Sequence, residues 1–347
     1  MLYLLKKYWY YFVIVLAINI PLLILTTYRT NKYILTKGGV TDFSNIVDVD
    51  TDYKEEGKFQ TIYVQDIEGT TLFMNFIASL NPKTMEIDEK SDVVQSMTEN
   101  QYYQSSKIQY DSSVYKSIIT AYNYAIYKHP ELDIAIDYSF DGYMVTYFYP
   151  SDCIFRTGDL IKKVRSSDNV IKATSENEDS YRQFFSNLKD NYSNGDIFSI
   201  ERNGEIIDVI PEDTFKFGYS DYYSIKSTTP SLKINGNNVG GPSGGLLQSL
   251  SIYNQLVPED LTHGLSIAGT GTISYDGSIG VIGGIKEKVP TALDNNVDIF
   301  LCVSGNYNDA YEAYLATKGH EKMRLVEIKY FSDAIDYLEA LDIWKNY

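Results

Sequence analysis

The longest apolar stretch of the chain lies at its start. Residues 8–28 carry no charge; Lys6 and Lys7 precede them and Arg29 follows. The stretch is about as long as the ~20 residues that a bilayer core requires. Its centre, 12–16, is wholly apolar, and Trp9 with several tyrosines crowds its first end as interfacial residues do. No Ala-x-Ala site closes it, so the pattern predicts an uncleaved transmembrane helix, not a signal peptide. Lys6, Lys7 and the terminal amine favour a cytoplasmic tail at 1–7, a bias that Arg29, Lys32 and Lys37 weaken. The protein is then single-pass in the cell membrane, with the rest of the chain extracytoplasmic.

Beyond the span the periods change. Residues 58–64 alternate as a strand does, 71–80 form a short helix, and 113–128 an amphipathic one with Val114, Ile118, Ala121, Tyr122 and Ala125 on one face. The region 29–130 holds no constellation of reactive side chains and is read as packing and support. From 131 to 215 strands dominate: 143–149, then a Gly-Asp turn into 158–164, then a hairpin of 196–200 and 205–210 about Asn203-Gly204. One helix, 180–189, places Tyr181, Phe184, Phe185 and Leu188 on one side. The last part alternates strand and helix at 298–303, 308–318, 325–328 and 332–341, which predicts an α/β layer.

Composition narrows the function. The 347 residues are enough for two or three domains, and 44% hydrophobic with 22% charged is globular. A net charge of −16 argues against nucleic acid and against flat docking of the globular part on anionic lipid. The 32 tyrosines show no regular spacing and read as compositional bias. Cys153 and Cys302 are far apart, and Cys302 falls in a strand-like run, so neither a disulfide framework nor a zinc site is expected. His129, His263 and His320 lack metal-ligand spacing. No G-x-x-x-x-G-K-[ST] loop occurs. We therefore expect no metal, no ATP and no other cofactor.

Two glycine-rich stretches carry the candidate chemistry. Residues 240–245, Gly-Gly-Pro-Ser-Gly-Gly, set Ser243 on a turn ahead of a helix at 244–255. Residues 283–288, Gly-Gly-Ile-Lys-Glu-Lys, set Lys288 in the first turn of another helix, after the apolar run 279–282. A serine hydroxyl needs an adjacent base, and lysine can be one only when burial lowers its pKa from about 10.4. A helix N-terminus disfavours its cation further. Gly241 and Gly244 free the backbone for a sharp turn and for close approach of a substrate carbonyl. Pro242 has no N–H, which leaves the N–H of Ser243 as the candidate oxyanion donor. A Ser-His arrangement is the rival, with His263 the nearest histidine in sequence.

With the pieces Gly-Pro-Ser-Gly-Gly (241–245), Ile-Ala-Gly-Thr-Gly-Thr-Ile (267–273) and Asp-Gly-Ser-Ile-Gly-Val-Ile-Gly-Gly-Ile-Lys-Glu-Lys (276–288), followed by Ala292, residues 216–347 resemble the proteolytic domain of the Lon family. The resemblance implies a Ser243–Lys288 dyad, selects Lys288 over Lys286, and implies that Thr270 orients the lysine. Gly240 stands where the family often has an acidic residue and Gly244 where it often has alanine; the serine-to-lysine spacing is slightly long, with the excess assigned to 257–261. Residues 131–215 resemble a protease-associated PDZ domain, which implies peptide binding around Gly142, Tyr143 and Met144; the stretch 165–177 is longer and more polar than usual. The alternative is that this domain only braces or gates the protease.

The expected fold is thus α/β (α+β): a Lon-type proteolytic domain, a β-rich PDZ-like domain inserted ahead of it, and one transmembrane helix. The expected function is an ATP-independent serine endopeptidase that cuts extracytoplasmic or secreted peptides and flexible protein segments, and the family's rings imply a homo-oligomer. A catalytically inactive membrane-anchored PDZ scaffold is the alternative.

Overall fold

The computed structural model describes all residues except 1, 44–45, 83, 150–153, 167–168, 190–194, 211–215, 236–240 and 342–347. Cys153 and Gly240 therefore lie outside the described residues. The chain opens with α1 (Leu2–Thr27), β1 (Lys32–Asp42), β2 (Val47–Val49), β3 (Lys58–Ile67), α2 (Leu72–Ser79), β4 (Met85–Glu89), α3 (Asp92–Ser96) and α4 (Glu99–Lys128). Its middle holds β5 (Ala135–Tyr149), β6 (Leu160–Ser166), β7 (Asn169–Lys172), α5 (Glu178–Lys189), β8 (Ile197–Arg202), β9 (Glu205–Val209) and β10 (Lys216–Thr229). Then come β11 (Leu232–Ile234), α6 (Gly245–Leu256), β12 (Ser266–Thr270), β13 (Thr272–Ile273), β14 (Ile279–Gly280), α7 (Ile285–Asp294), β15 (Ile299–Val303), α8 (Tyr307–Ala316), β16 (Arg324–Ile328) and α9 (Phe331–Glu339).

This is a mixed α/β protein built on two sheets. The first has the order β16-β15-β12-β3-β1-β4, parallel from β16 to β3 and antiparallel from β3 to β4. Strand β15 is apolar and buried along its whole length, as in a parallel sheet covered on both faces. In β15, Ile299 and Leu301 join a core with α4, α6 and α9, whereas Phe300 and Cys302 join another with α7 and α8. The division follows the two-residue period of a strand. Residues 32–89 supply β1, β3 and β4 to this sheet, so the boundary drawn at 216 does not enclose a self-contained unit. Strand pairing across some 200 residues leaves no local trace in sequence.

The second sheet has the order β10-β5-β6-β8-β9, with β7 beside β6. The Asn203-Gly204 turn joins β8 to β9, both residues at positive φ (52° and 81°), the conformation that two-residue hairpins require. β10 pairs with β5 along its length, so 216–229 belongs to this sheet and not to the first. The core is aromatic: Phe140, Tyr143, Tyr181, Phe185, Phe198 and Tyr223 are buried together. Part of the tyrosine excess is therefore packing, not mere composition.

Helix α4 begins well before residue 113. Thr98 and Gln101 form a reciprocal capping box at its start, the Thr-x-x-Gln pattern that such caps use. The first turns are half-exposed and polar, so apolar periodicity does not reveal them.

Candidate active site

The turn that carries Ser243 is held from three directions. Gly241 has φ +87°, a left-handed conformation that favours glycine, and its N–H donates to the Ser106 carbonyl of α4 at 3.4 Å. Ser113 Oγ, also on α4, donates to the Pro242 carbonyl at 3.3 Å, and Ser117 Oγ to that of Gly245 at 3.1 Å. From the end of β12, Gly271 N donates to the Ser243 carbonyl at 2.8 Å and Thr270 Oγ1 to the same oxygen at 3.1 Å. Helix α6 starts at Gly245 and fixes the far side of the turn. Among the described residues, the N–H groups of Ser243 and Gly244 have no hydrogen-bond partner.

Lys288 reaches this turn from α7. Gly284 caps that helix at φ +70°, so the chain leaves its Gly-Gly pair directly into the helix. Lys288 Nζ lies 3.0 Å from Ser243 Oγ and donates to Thr270 Oγ1 at 3.1 Å. The lysine is 3% exposed and Thr270 fully buried. Burial alone lowers the amine from its ordinary value to about 8. Ser243, Lys288 and Thr270 thus come together as the three motifs require. The neighbouring Glu287 is also buried and faces no donor among the described residues; burial, then the charge of Glu86, pushes its carboxyl up to about 7.

Gly244 has a steric reason. A side-chain carbon there would lie 2.7 Å from Phe43 Cζ and 2.8 Å from Thr61 Oγ1, both on buried residues. An alanine therefore does not fit without displacing one of them.

The turn faces a cavity of about 340 Å³. Its walls include Thr61, Tyr63, Val64 and Asp66 of β3, and Tyr102 and Ser106 of α4. β12 pairs with β3 only at 58–61, where Gly269 lies opposite Thr61. From Ile62 onward β3 has β1 on one side and the cavity on the other. The region 29–130 is thus more than packing and support, because it supplies this wall; nothing local in sequence marks it.

His263 takes another place. Its Nε2 bonds the Leu338 carbonyl at 2.9 Å, and it lines a different cavity. His129 bonds Tyr253 Oη, and His320 the Thr317 carbonyl. Neither these histidines nor Lys286 bonds Ser243 among the described residues.

The expected peptide site at Gly142, Tyr143 and Met144 is corrected. All three lie inside β5, opposite Tyr222, Asp221 and Ser220 of β10, and Tyr143 and Met144 also face Ile161 and Leu160 of β6. Both edges are occupied, so no strand can be added there. Tyr143 is buried, and Arg182 of α5 donates to its hydroxyl at 3.3 Å. Arg182 also donates to Asp221 at 2.6 Å, whose carboxylate holds Lys116 of α4 at 2.7 Å. These charges brace the second sheet against α4.

Among the described residues no group of three His, Cys, Asp or Glu side chains is placed to hold a metal ion. The segment Lys7–Thr27 is long and apolar enough to cross a membrane, and none of it is buried against the rest of the chain. The chain matches no protein-family model, and no curated protein matches it.

Proposed function

We propose that this protein is a membrane-anchored, ATP-independent serine peptidase that works through a Ser243–Lys288 dyad of the Lon type. The observation that carries the reading is Lys288 Nζ at 3.0 Å from Ser243 Oγ, on an amine that burial lowers to about 8. A neutral amine has two N–H groups and one lone pair. Thr270 accepts one N–H without adding a charge that would keep the lysine protonated, and the lone pair is left for the serine hydroxyl.

The reaction then runs in two halves. Lys288 takes the Ser243 proton as Oγ bonds to the substrate carbonyl carbon, and the oxyanion is met by the N–H groups of Ser243 and Gly244, which have no partner among the described residues. The ammonium of Lys288 protonates the leaving amine as the peptide bond breaks, giving an acyl-serine. Water, deprotonated by the same lysine, attacks the ester; the collapse returns the proton to Ser243 and releases the acid. The open edge of β3 supports an extended peptide as substrate, bound as an added strand. Lacking a phosphate loop, the protein cuts flexible segments and accessible peptides, on the extracytoplasmic side of the cell membrane. The second sheet, in which β5 is paired with both β10 and β6, braces the peptidase.

The full chain in detergent micelles, incubated with a pool of unstructured peptides, is expected to yield discrete fragments by mass spectrometry. Ser243→Ala is expected to yield none. Fragments produced equally by the variant would sink the reading.

A further inference from the structure

Helix α2 exposes its apolar side chains. Leu72, Phe73, Phe76 and Ile77 on this eight-residue helix and Leu80 at its C-cap are 37–61% exposed. Single exposed apolar residues are ordinary; a contiguous set with two phenylalanines needs a covering surface. What covers it follows from where it sits. α2 is tied to the foot of α1 by a dense set of bonds. Leu72 N donates to the Tyr28 carbonyl at 3.3 Å, Thr30 N to the Thr70 carbonyl at 2.8 Å, and Asn75 Nδ2 to Thr30 Oγ1 at 3.0 Å. Arg29 and Thr71 are bridged as a pair of strand residues. The apolar helix is therefore fixed beside the point where the span ends, with no flexible linker between them.

We propose that α2 lies in the surface of the bilayer that α1 crosses, with Phe73 and Phe76 at the headgroup–acyl boundary, and that it holds the active-site cleft over the membrane. An apolar helix in the interface plane needs no anionic lipid, which suits a chain of net charge −16. The sheet gives the cleft its direction. β1 starts at Lys32, just after the span, and Ile34 lies opposite Ile67 at the end of β3. The end of β3 is thus the membrane end. Its cavity-facing edge runs from Thr61, beside the Ser243 turn, to Ile67, which leads into α2. Six residues of strand span about 20 Å. A peptide laid on that edge extends from the dyad toward the lipid surface. The substrate class is therefore a polypeptide segment flanking a transmembrane helix, or one adsorbed at the membrane. The statement about the lipid rests on α1 crossing a membrane, and the one about substrates on the peptidase reading.

The test uses the full chain in phosphatidylcholine vesicles, with Trp9→Phe and Trp344→Phe to remove native tryptophan, and Phe76→Trp as the probe. Its emission is expected at short wavelength and quenched by lipids brominated high on the acyl chain, less by bromines near the chain end. Tyr330→Trp, at an exposed site before α9, is expected to stay unquenched at long wavelength. A protein keeping Trp9 alone reports separately whether α1 is inserted. A quenched Trp9 with an unquenched, long-wavelength probe at 76 would overturn the proposal. So would a short-wavelength, unquenched probe that shifts on dilution, because a second copy then covers α2. An unquenched Trp9 would overturn the spanning helix and this proposal with it. None of these readings needs peptidase activity. For the substrate half, a reporter peptide carried next to a transmembrane helix in the same vesicles is expected to be cut faster than the free peptide. Phe73→Ser with Phe76→Ser is expected to lower only the first rate; equal rates in the parent would overturn the substrate class.

Discussion

Replacing Lys288 by alanine is expected to abolish peptide cleavage as completely as replacing Ser243. In the proposed dyad the two act as one unit, so each single variant should lose on the order of 10⁴–10⁶-fold, and the double variant no more. The reason is geometric. Nζ is within hydrogen-bond reach of Oγ, and no histidine bonds the serine among the described residues. Lys288→Arg is expected to be as inactive, because a guanidinium stays protonated and has no lone pair to offer. His263→Ala is expected to cut at the parent rate, since its ring serves the Leu338 carbonyl. Rates on one defined peptide, with circular dichroism to check folding, decide the matter. Activity surviving Lys288→Ala but not His263→Ala would overturn the dyad.

The second large effect is on pH. The free-enzyme rate, kcat/KM, should climb through pH 8 as Lys288 gives up its proton, and level off about one unit above. Burial is the cause of the low pKa, so the same burial must appear in stability. Below about 8 the folded chain holds a buried cation. Between about 8 and 10.5 the folded lysine has lost its proton while the unfolded one keeps it. The unfolded chain then binds more protons, so stability rises with pH across that window. The gap corresponds to about 3 kcal/mol in full. Lys288→Met is expected to unfold at a higher temperature than the parent at pH 7 and to lose this rise. Glu55 and Glu287, both pushed up to about 7 by burial first, act in the other direction. Their acids favour the folded state at low pH, and that contribution fades as pH rises to about 7, below the lysine window. Thermal unfolding from pH 7 to 9.5 separates the two. A parent and Lys288→Met with parallel curves would contradict the buried amine.

Much of the site was legible because its residues announce themselves over a few positions. The Gly-Pro-Ser turn, the threonine in 267–273 and the Gly-Gly ahead of Lys288 each serve a local backbone need, and the structure brings those three motifs within 3.1 Å. The apolar span and the Asn-Gly hairpin were legible for the same reason. What escaped is non-local. That β3 would join β12 and lend its other edge to the cavity depends on pairings between residues 58–61 and 266–269. β10 reads as the start of a catalytic domain, but its register with β5 places it in the second sheet. That pairing also buries the edge at Gly142–Met144 on which peptide binding was expected. Phe43 explains Gly244 only once the two are side by side.

The mass of the protein caught during turnover tests the Ser243–Lys288 dyad most directly. The full chain is mixed with a cleaved peptide, quenched in acid within the turnover time, digested and analysed by mass spectrometry. An acyl adduct is expected on the fragment containing Ser243, absent from Ser243→Ala and from Lys288→Ala. Cleavage that proceeds with no adduct, or with the adduct on another residue, would contradict it.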